Sequence, residues 1–154
     1  MPNDYLPVPH QQQRNDGACL PACAVMVLRY LGLEADEAQL ARLMRSYTIG
    51  TPARNVRYLT PLGVDVTFGS ATLSDLQQNF LDHLPTIAFV NTEALPNHEL
   101  EGYHAVVVVG LTEETVYLND PAFETAPTAV PLDHFLLAWS DFDYLQATIM
   151  LIRG

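Results

Sequence analysis

Two cysteines lie within one helical turn of each other, at the point where a polar segment gives way to an apolar one. In QQQRNDGACLPACAVMVLRYLG, residues 11–32, Cys19 precedes Pro21 by two positions and Cys23 follows one turn later. Proline is common in the first turn of a helix, so the pattern predicts a helix that starts close to Cys19. The dipole and the unpaired N–H groups of a helix start lower the pKa of a thiol. Cys19 is therefore the candidate nucleophile, whereas Cys23, among alanines and valine, is expected to be buried and inert.

A thiol nucleophile needs a base and a polar group that orients the base. His104 lies at the start of the most hydrophobic predicted strand, YHAVVVVGL, and Asp120 ends the next one, TVYLND. With a turn at Glu113–Glu114, these segments form an antiparallel hairpin, in which the start of one strand lies beside the end of the other. We therefore expect His104 and Asp120 to be neighbours.

Acyl transfer also requires hydrogen-bond donors that stabilise the oxyanion. Gln13 lies six residues before Cys19 in the polar segment, and the backbone N–H of Cys19 at the helix start would be a second donor. Gln11 or Gln12 could replace Gln13 if the register of the loop differs.

Potential metal ligands lie just before the hydrophobic strand. His98, Glu99 and Glu101 could join His104 in a metal site, but their spacing matches no strong ligand motif. A charged, solvated loop is the simpler interpretation. Because acyl transfer by a thiol requires neither a metal nor a cofactor, we expect neither.

The charge distribution argues against several classes of partner. The chain has 154 residues, a net charge of −11 and no lysine, and no arginine occurs from Tyr58 to Ile152. No basic stripe is therefore available to neutralise phosphates, so we expect neither nucleic acid nor a membrane surface as partner. A peptide or protein is the expected substrate, and a basic peptide would be attracted by the acidic second half.

The apolar segments are too short to span a bilayer, and the first residues lack the basic and apolar regions of a secretory signal. We therefore expect a cytoplasmic protein whose two cysteines stay reduced.

The elements that must position the candidate residues can be predicted from periodicity and turn residues. Helices are predicted over 21–31, 35–47, 72–84 and 132–140, with a short one ending near Gly63, and strands over 64–68, 86–91, 103–111, 115–120 and 144–151. In the second helix, Leu40, Leu43, Met44 and Tyr47 are expected on one inward face. Helices come first and strands follow with one late helix, which favours an α+β fold with an antiparallel or mixed sheet. The length fits a single domain over residues 1–154.

Taken together, these motifs resemble the papain-like cysteine peptidases. The Gln before a Cys in an apolar helix, then YHAVVVVG and LNDPA, are most similar to the bacteriocin double-glycine leader peptidases, which are often fused to export transporters. The resemblance covers nearly the whole chain and implies N-terminal helices packed on a C-terminal sheet. It also implies a triad of Cys19 as nucleophile, His104 as base and acid and Asp120 as orienting carboxylate, with Gln13 in the oxyanion hole.

Two features depart from that family. Ala18 and Leu20 replace the Asp and Gly that flank its cysteine, and the chain contains no transporter segment, so processing of double-glycine leaders is not implied. Two alternatives to a peptidase stay open: other acyl chemistry at the same site, such as deamidation or transpeptidation, and a non-catalytic binding module of the same fold. The sequence gives neither the oligomeric state nor the need for an activating subunit.

Overall fold

The structure is a computed structural model that describes residues 5–99 and 101–152. Its α-helices are α1 (Cys19–Tyr30), α2 (Glu37–Leu43), α3 (Leu73–Leu81) and α4 (Leu132–Ser140), and its 3₁₀ helices span Ala53–Leu62 and Thr92–Ala94. Its strands are β1 (Val64–Ser70), β2 (Thr86–Asn91), β3 (Tyr103–Leu111), β4 (Thr115–Asn119), β5 (Thr128–Pro131) and β6 (Leu145–Leu151). The expected α+β fold is confirmed.

The six strands form one sheet in the order β1-β6-β2-β3-β4-β5, and every pairing in it is antiparallel. Helices cover both of its faces. On one face Ala105 and Val107 of β3 pack with α1, and on the other Val106 and Val108 pack with α4. A strand that is covered on both faces is apolar at successive positions, which explains the valine run of β3.

Helix α1 lies in the hydrophobic core on the face of the sheet that carries Ala105 and Val107. Its residues from Cys19 to Leu28 are buried. Pro21 lies in its first turn, where the missing N–H costs no hydrogen bond. The helix ends because Gly32 adopts a φ of 88°, a left-handed conformation that glycine reaches without strain. The sequence therefore fixes both ends of the helix that carries Cys19.

The N-terminal segment runs along the β3–β4 hairpin and brings its own polar residues to the end of β4. The side chain of Asn119 donates to the Val8 carbonyl over 3.0 Å. The backbone N–H of Gln13 donates to the Pro121 carbonyl over 2.8 Å. These bonds place Gln13 beside the residue that follows Asp120.

The structure corrects the predicted second helix. Residues 35–47 were expected to be helical, but α2 ends at Leu43 and Arg45 adopts a φ of 56°, which no helix continues. Tyr47 pairs with Gly50 in a tight turn and is 67% exposed, so its expected inward position is wrong. The turn lies close against the segment before α1, where a Cβ at Gly17 would be 2.2 Å from the backbone oxygen of Thr48.

Two further elements differ from expectation. The helix before Gly63 is a 3₁₀ helix, which contains Pro61, and β5 lies in a segment that was expected to be a loop. Within the described residues, no helix is both long and apolar enough to cross a membrane.

Candidate active site

Cys19 is the first residue of α1, as the sequence predicts to within two positions. Ala18, at the N-cap, makes no side-chain capping hydrogen bond, and the first turn contains no acidic residue. The positive end of the helix dipole therefore lies beside the thiol, and no carboxylate in the first turn of the helix offsets it. Cys19 is only 4% exposed.

His104 and Asp120 meet at the open end of the β3–β4 hairpin. Val107 pairs with Asn119, so Asp120 lies one step beyond the paired residues and diagonally from His104. The His104 Nε2 donates to Asp120 Oδ1 over 2.7 Å, and both residues are buried. The contact expected from the hairpin is present.

The other ring nitrogen of His104 is left for the thiol. Because Nε2 is bound to Asp120, Nδ1 is the nitrogen left to face Cys19, whose thiol lies close enough to His104 to raise the pKa of the ring. The structure thus brings Cys19, His104 and Asp120 into one chain of contacts, with the imidazole in the middle.

The electrostatics of His104 favour its charged form. Burial lowers the pKa of His104, but hydrogen bonds and charge interactions with Asp120 and Cys19 outweigh it and raise the pKa to about 9. At neutral pH the ring is therefore protonated, as an imidazolium beside a thiolate would be.

Asp120 is held in its charged form despite its burial. Burial raises the pKa of this carboxyl, but hydrogen bonds from His104 and His98 lower it more, and the net result lies well below its ordinary range. The backbone N–H of Ala122 adds a third bond, to Oδ1 over 3.0 Å. A charge in this position keeps the imidazole oriented and protonated.

His98 is a member of the cluster that sequence reasoning did not assign. Its Nε2 donates to Asp120 Oδ2 over 2.7 Å, and its ring lies 5.2 Å from that of His104 and 4.9 Å from that of Phe123, centroid to centroid. The sequence places it in a loop, and only the path of that loop brings it to Asp120. From the sequence a metal ligand was considered and a solvated loop was preferred for this residue. The preferred interpretation is wrong for His98, whose side chain is only 11% exposed and contacts the carboxylate.

Gln13 lies in the same cleft as His104. Its Nε2 donates to the Asn15 carbonyl over 2.8 Å. Among the residues that the structure describes, neither the second amide N–H nor the buried Oε1 has a hydrogen-bond partner. The neighbouring Arg14 is anchored to α2, because its backbone N–H and its guanidinium both contact Glu37, over 3.3 Å and 3.2 Å. The segment that presents Gln13 is thus tied down on both sides.

Cys23 lies one turn into α1 and is fully buried. Burial raises the pKa of this thiol well above its ordinary value, and the nearby Cys19 and Asp120 raise it further. Both cysteines are free thiols. Cys23 is thus a packed core residue, as expected from its apolar neighbours.

His104 lies on a cleft of about 370 Å³, whereas Cys19, only 4% exposed, is not among the residues that line it. Gln13, His98 and His104 line it, together with the acidic residues Asp16, Glu99 and Glu101. No arginine is found among the lining residues that the structure describes. The cleft therefore carries an excess of negative charge around the candidate residues.

His98, His104 and Asp120 are also the set that could hold a metal, since their ligand atoms lie within 4.8 Å of one another. However, each imidazole nitrogen is 2.7 Å from a carboxylate oxygen. Around a tetrahedral zinc, ligand atoms about 2.0–2.1 Å from the metal lie roughly 3.3 Å apart. A metal would have to break both hydrogen bonds, so the geometry is that of a hydrogen-bonded cluster.

Solved structures with the same fold include several peptidases. The chain aligns with a protein described as a C39-like peptidase from Bacillus anthracis at a TM-score of 0.81 and 17% identity, covering 97% of this chain and 98% of that one. A double-glycine motif protease from an AMS/PCAT transporter, solved in complex with the leader peptide, gives a TM-score of 0.76 at 21% identity, with 96% and 94% covered. The peptidase domain of Streptococcus ComA, a bifunctional ABC transporter of a quorum-sensing pathway, gives 0.73 at 20% identity, with 98% and 100% covered.

No curated protein matches the sequence. A family model does match, that of the Peptidase_C39 like family, over residues 5–147. This range includes the helix that carries Cys19, the hairpin that carries His104 and Asp120, and most of the sheet. By this match over most of its length, the chain belongs to the Peptidase_C39 like family.

Proposed function

We propose that this protein is a cysteine peptidase with Cys19 as nucleophile, His104 as general base and acid, Asp120 as orienting carboxylate and Gln13 in the oxyanion hole. The single observation that carries the proposal is the chain of contacts in which His104 lies between Cys19 and a buried Asp120. It needs no metal or cofactor.

The geometry supports a two-step acyl transfer. The Cys19 thiolate adds to the carbonyl carbon, and the resulting oxyanion accepts hydrogen bonds from the Cys19 backbone N–H and the free amide N–H of Gln13. The imidazolium of His104 gives its proton to the leaving amine as the C–N bond breaks and a thioester forms. His104 then removes a proton from water, which attacks the thioester and releases the acid and the thiol.

The proposed substrate is a peptide or an extended segment of a protein. A relative of the same fold was solved with a leader peptide bound, and the cleft beside His104 is open along the surface. The acidic residues around it favour basic peptides. We further propose that residues 1–154 act as a single domain, in a reducing compartment such as the cytoplasm, where both thiols stay free.

The departures Ala18 and Leu20 are compatible with this mechanism. Leu20 is fully buried in the hydrophobic core and is not among the residues that line the cleft. Ala18 supplies no capping oxygen, so it does not compete with an oxyanion for the first N–H groups of the helix. Neither residue removes a group that the proposed steps use.

A peptide library analysed by mass spectrometry tests the reaction. We expect new chain termini with the wild-type protein and a loss of turnover on the order of 10³-fold or more for Cys19→Ala, because the nucleophile is gone. Cys23→Ala is the matched control and should keep turnover, since that thiol is sealed in the core.

The products also separate the alternatives. Released ammonia without cleavage would indicate a deamidase, and a new amide bond a transpeptidase. Full turnover by Cys19→Ala would contradict every mechanism in which this thiol attacks.

A further inference from the structure

His98 takes no part in the steps above, although it belongs to the same cluster. Its side chain is 11% exposed and donates from Nε2 to Asp120 Oδ2 over 2.7 Å. Its ring lies against Phe123 and His104. A histidine bound to the far oxygen of a catalytic carboxylate requires an explanation of its own.

We propose that His98 is a positioning residue, which rests on the proposed function: it holds Oδ2 of Asp120 so that Oδ1 stays aligned with His104. It acts through Asp120 and does not touch the reacting atoms. The site is thus a line of four side chains, Cys19, His104, Asp120 and His98.

The hydrogen bonds of the carboxylate carry this inference. Oδ1 accepts from His104 Nε2 and from the Ala122 backbone N–H, whereas the hydrogen bond to Oδ2 comes from His98. The torsion that turns a carboxylate about its last bond is broad, so the bonds at Oδ1 alone define its plane weakly. A donor at Oδ2 fixes the plane, and with it the direction in which Oδ1 meets the imidazole.

Burial makes the same bond costly to lose. Asp120 is 2% exposed, so water cannot readily replace His98 at Oδ2. A buried charged oxygen without a partner tends to move toward another donor. The other donors that the structure places at Asp120 are His104 Nε2 and the Ala122 N–H, both bound to Oδ1. A rotation of the carboxylate that brings Oδ2 toward them would turn Oδ1 away from its present bonds.

Two substitutions separate positioning from packing. In His98→Gln, the amide nitrogen lies as many bonds from the backbone as Nε2 of histidine, so it can donate to the same oxygen. In His98→Phe, the ring that packs on Phe123 and His104 is kept and the donor is lost. Positioning therefore requires the glutamine variant to be the better enzyme, and packing requires the opposite order.

The experiment measures kcat, KM and the rate of Cys19 alkylation by iodoacetamide as functions of pH. For His98→Phe we expect kcat to fall about tenfold with KM unchanged, the scale seen when partners that orient a functional side chain are removed. The basic limb of the pH profile of kcat for His98→Phe should lie at a lower pH than that of the wild type, because a misaligned Asp120 stabilises the protonated His104 less. His98→Gln should stay within about twofold of wild type in kcat, with an unshifted limb.

Each other outcome overturns the inference. A phenylalanine variant as active as wild type beside an impaired glutamine variant would assign His98 to packing, and a change in KM alone would assign it to substrate contact. If His98→Phe is too unstable to assay, loss of kcat in His98→Gln decides against positioning and full kcat supports it. Alkylation needs no substrate, so a wild-type Cys19 that reacts like an ordinary thiol would show that the proposed function itself has failed, and this inference with it.

Discussion

At the scale of single residues, the site depends on one imidazole that lies between a carboxylate and a thiol. His104 donates a hydrogen bond from Nε2 to the Asp120 carboxylate, and its other nitrogen is left for the Cys19 thiol. All three side chains are buried, so little water reaches them. Low exposure strengthens the interaction of an imidazolium with both neighbours. The protonated state of His104 is therefore a property of the cluster rather than of the histidine.

The charge of Asp120 can be tested without changing its shape. Asp120→Asn keeps an oxygen that can accept from His104 but removes the negative charge. The pKa of His104, about 9 in the intact site, should then fall toward its ordinary value of roughly 6.5. Activity needs the protonated ring, so the basic limb of the pH–rate profile should move down by at least one pH unit. A full return to roughly 6.5 would leave about a quarter of the rings protonated at pH 7, a roughly fourfold loss of turnover.

The pH profile of kcat/KM for a cleaved peptide checks this expectation. Asp82→Asn is a suitable control, because that exposed carboxylate accepts from Gln78 at the end of α3 and does not line the cleft. A basic limb that stays in place after Asp120→Asn would show that this carboxylate does not support the imidazolium.

The sequence allowed part of this cluster to be predicted and not the rest. Cys19 follows from the local signals of a helix start, and His104 with Asp120 from one hairpin. Those are short-range features. His98 lies in an irregular loop that reaches Asp120 only through the tertiary fold, so periodicity gives no information on its partner.

At the scale of elements, the start of α1 is held in place by the turn that follows α2. A Cβ at Gly17 would lie 2.2 Å from the backbone oxygen of Thr48. Tyr103, the first residue of β3, donates its hydroxyl to the Thr51 carbonyl over 3.0 Å. The turn thus contacts both the segment before Cys19 and the strand that begins beside His104.

Gly17→Ala tests this close packing. The added methyl cannot be accommodated unless the turn or the segment before Cys19 moves, since its nearest neighbour is backbone. We expect a loss of about 1–3 kcal/mol in the free energy of unfolding, typical of overpacking, and a lower rate of Cys19 alkylation. Urea denaturation and alkylation of the folded protein measure the two effects.

Ile49→Ala, in the turn that Gly17 contacts, is the control for a change in this region without the clash, since the Ile49 side chain is 94% exposed. If Gly17→Ala proved as stable and as reactive as wild type, the turn would not be what positions the start of α1.

The elements themselves were predictable where their signals are local. Strands β2 and β3 and helix α4 match their predicted bounds, and Thr72 caps α3 through a capping box with Asp75. The end of α2 was predicted wrongly, because apolar spacing continued past the point where the chain turns. The insertion of β6 between β1 and β2 joins residues far apart in sequence, and no local pattern encodes such a pairing.

At the scale of the whole molecule, charge is the property most visible in the sequence. The net charge is −11, and the cleft beside His104 carries Asp16, Glu99 and Glu101. The fold class followed from the order of helices and strands, and the family from the four spaced residues. The distribution of charge around the cleft needed the structure, because it depends on which loops meet there.

This charge predicts a salt-dependent preference among substrates. Of two peptides that share a cleavage site, the one with added basic residues should show a kcat/KM roughly tenfold higher at low salt. The difference should largely vanish between about 0.01 M and 1 M salt, as the Debye length falls from roughly 30 Å to 3 Å. The double substitution Glu99→Gln and Glu101→Gln should reduce the difference in kcat/KM between the two peptides at low salt. Equal kcat/KM values for both peptides with the wild-type protein at low salt would contradict the prediction.

The central claim is that Cys19 is a nucleophile activated by His104, and site-resolved alkylation tests it most directly. Limited iodoacetamide over a range of pH, followed by mass spectrometry, reports each cysteine separately, and the small reagent suits a thiol that is only 4% exposed. We predict that across this range Cys19 is labelled faster in the wild-type protein than in His104→Ala, because the imidazole that activates the thiol is then missing, while Cys23 stays unlabelled in both. Equal Cys19 labelling with and without His104, or labelling of both cysteines at equal rates, would contradict the account.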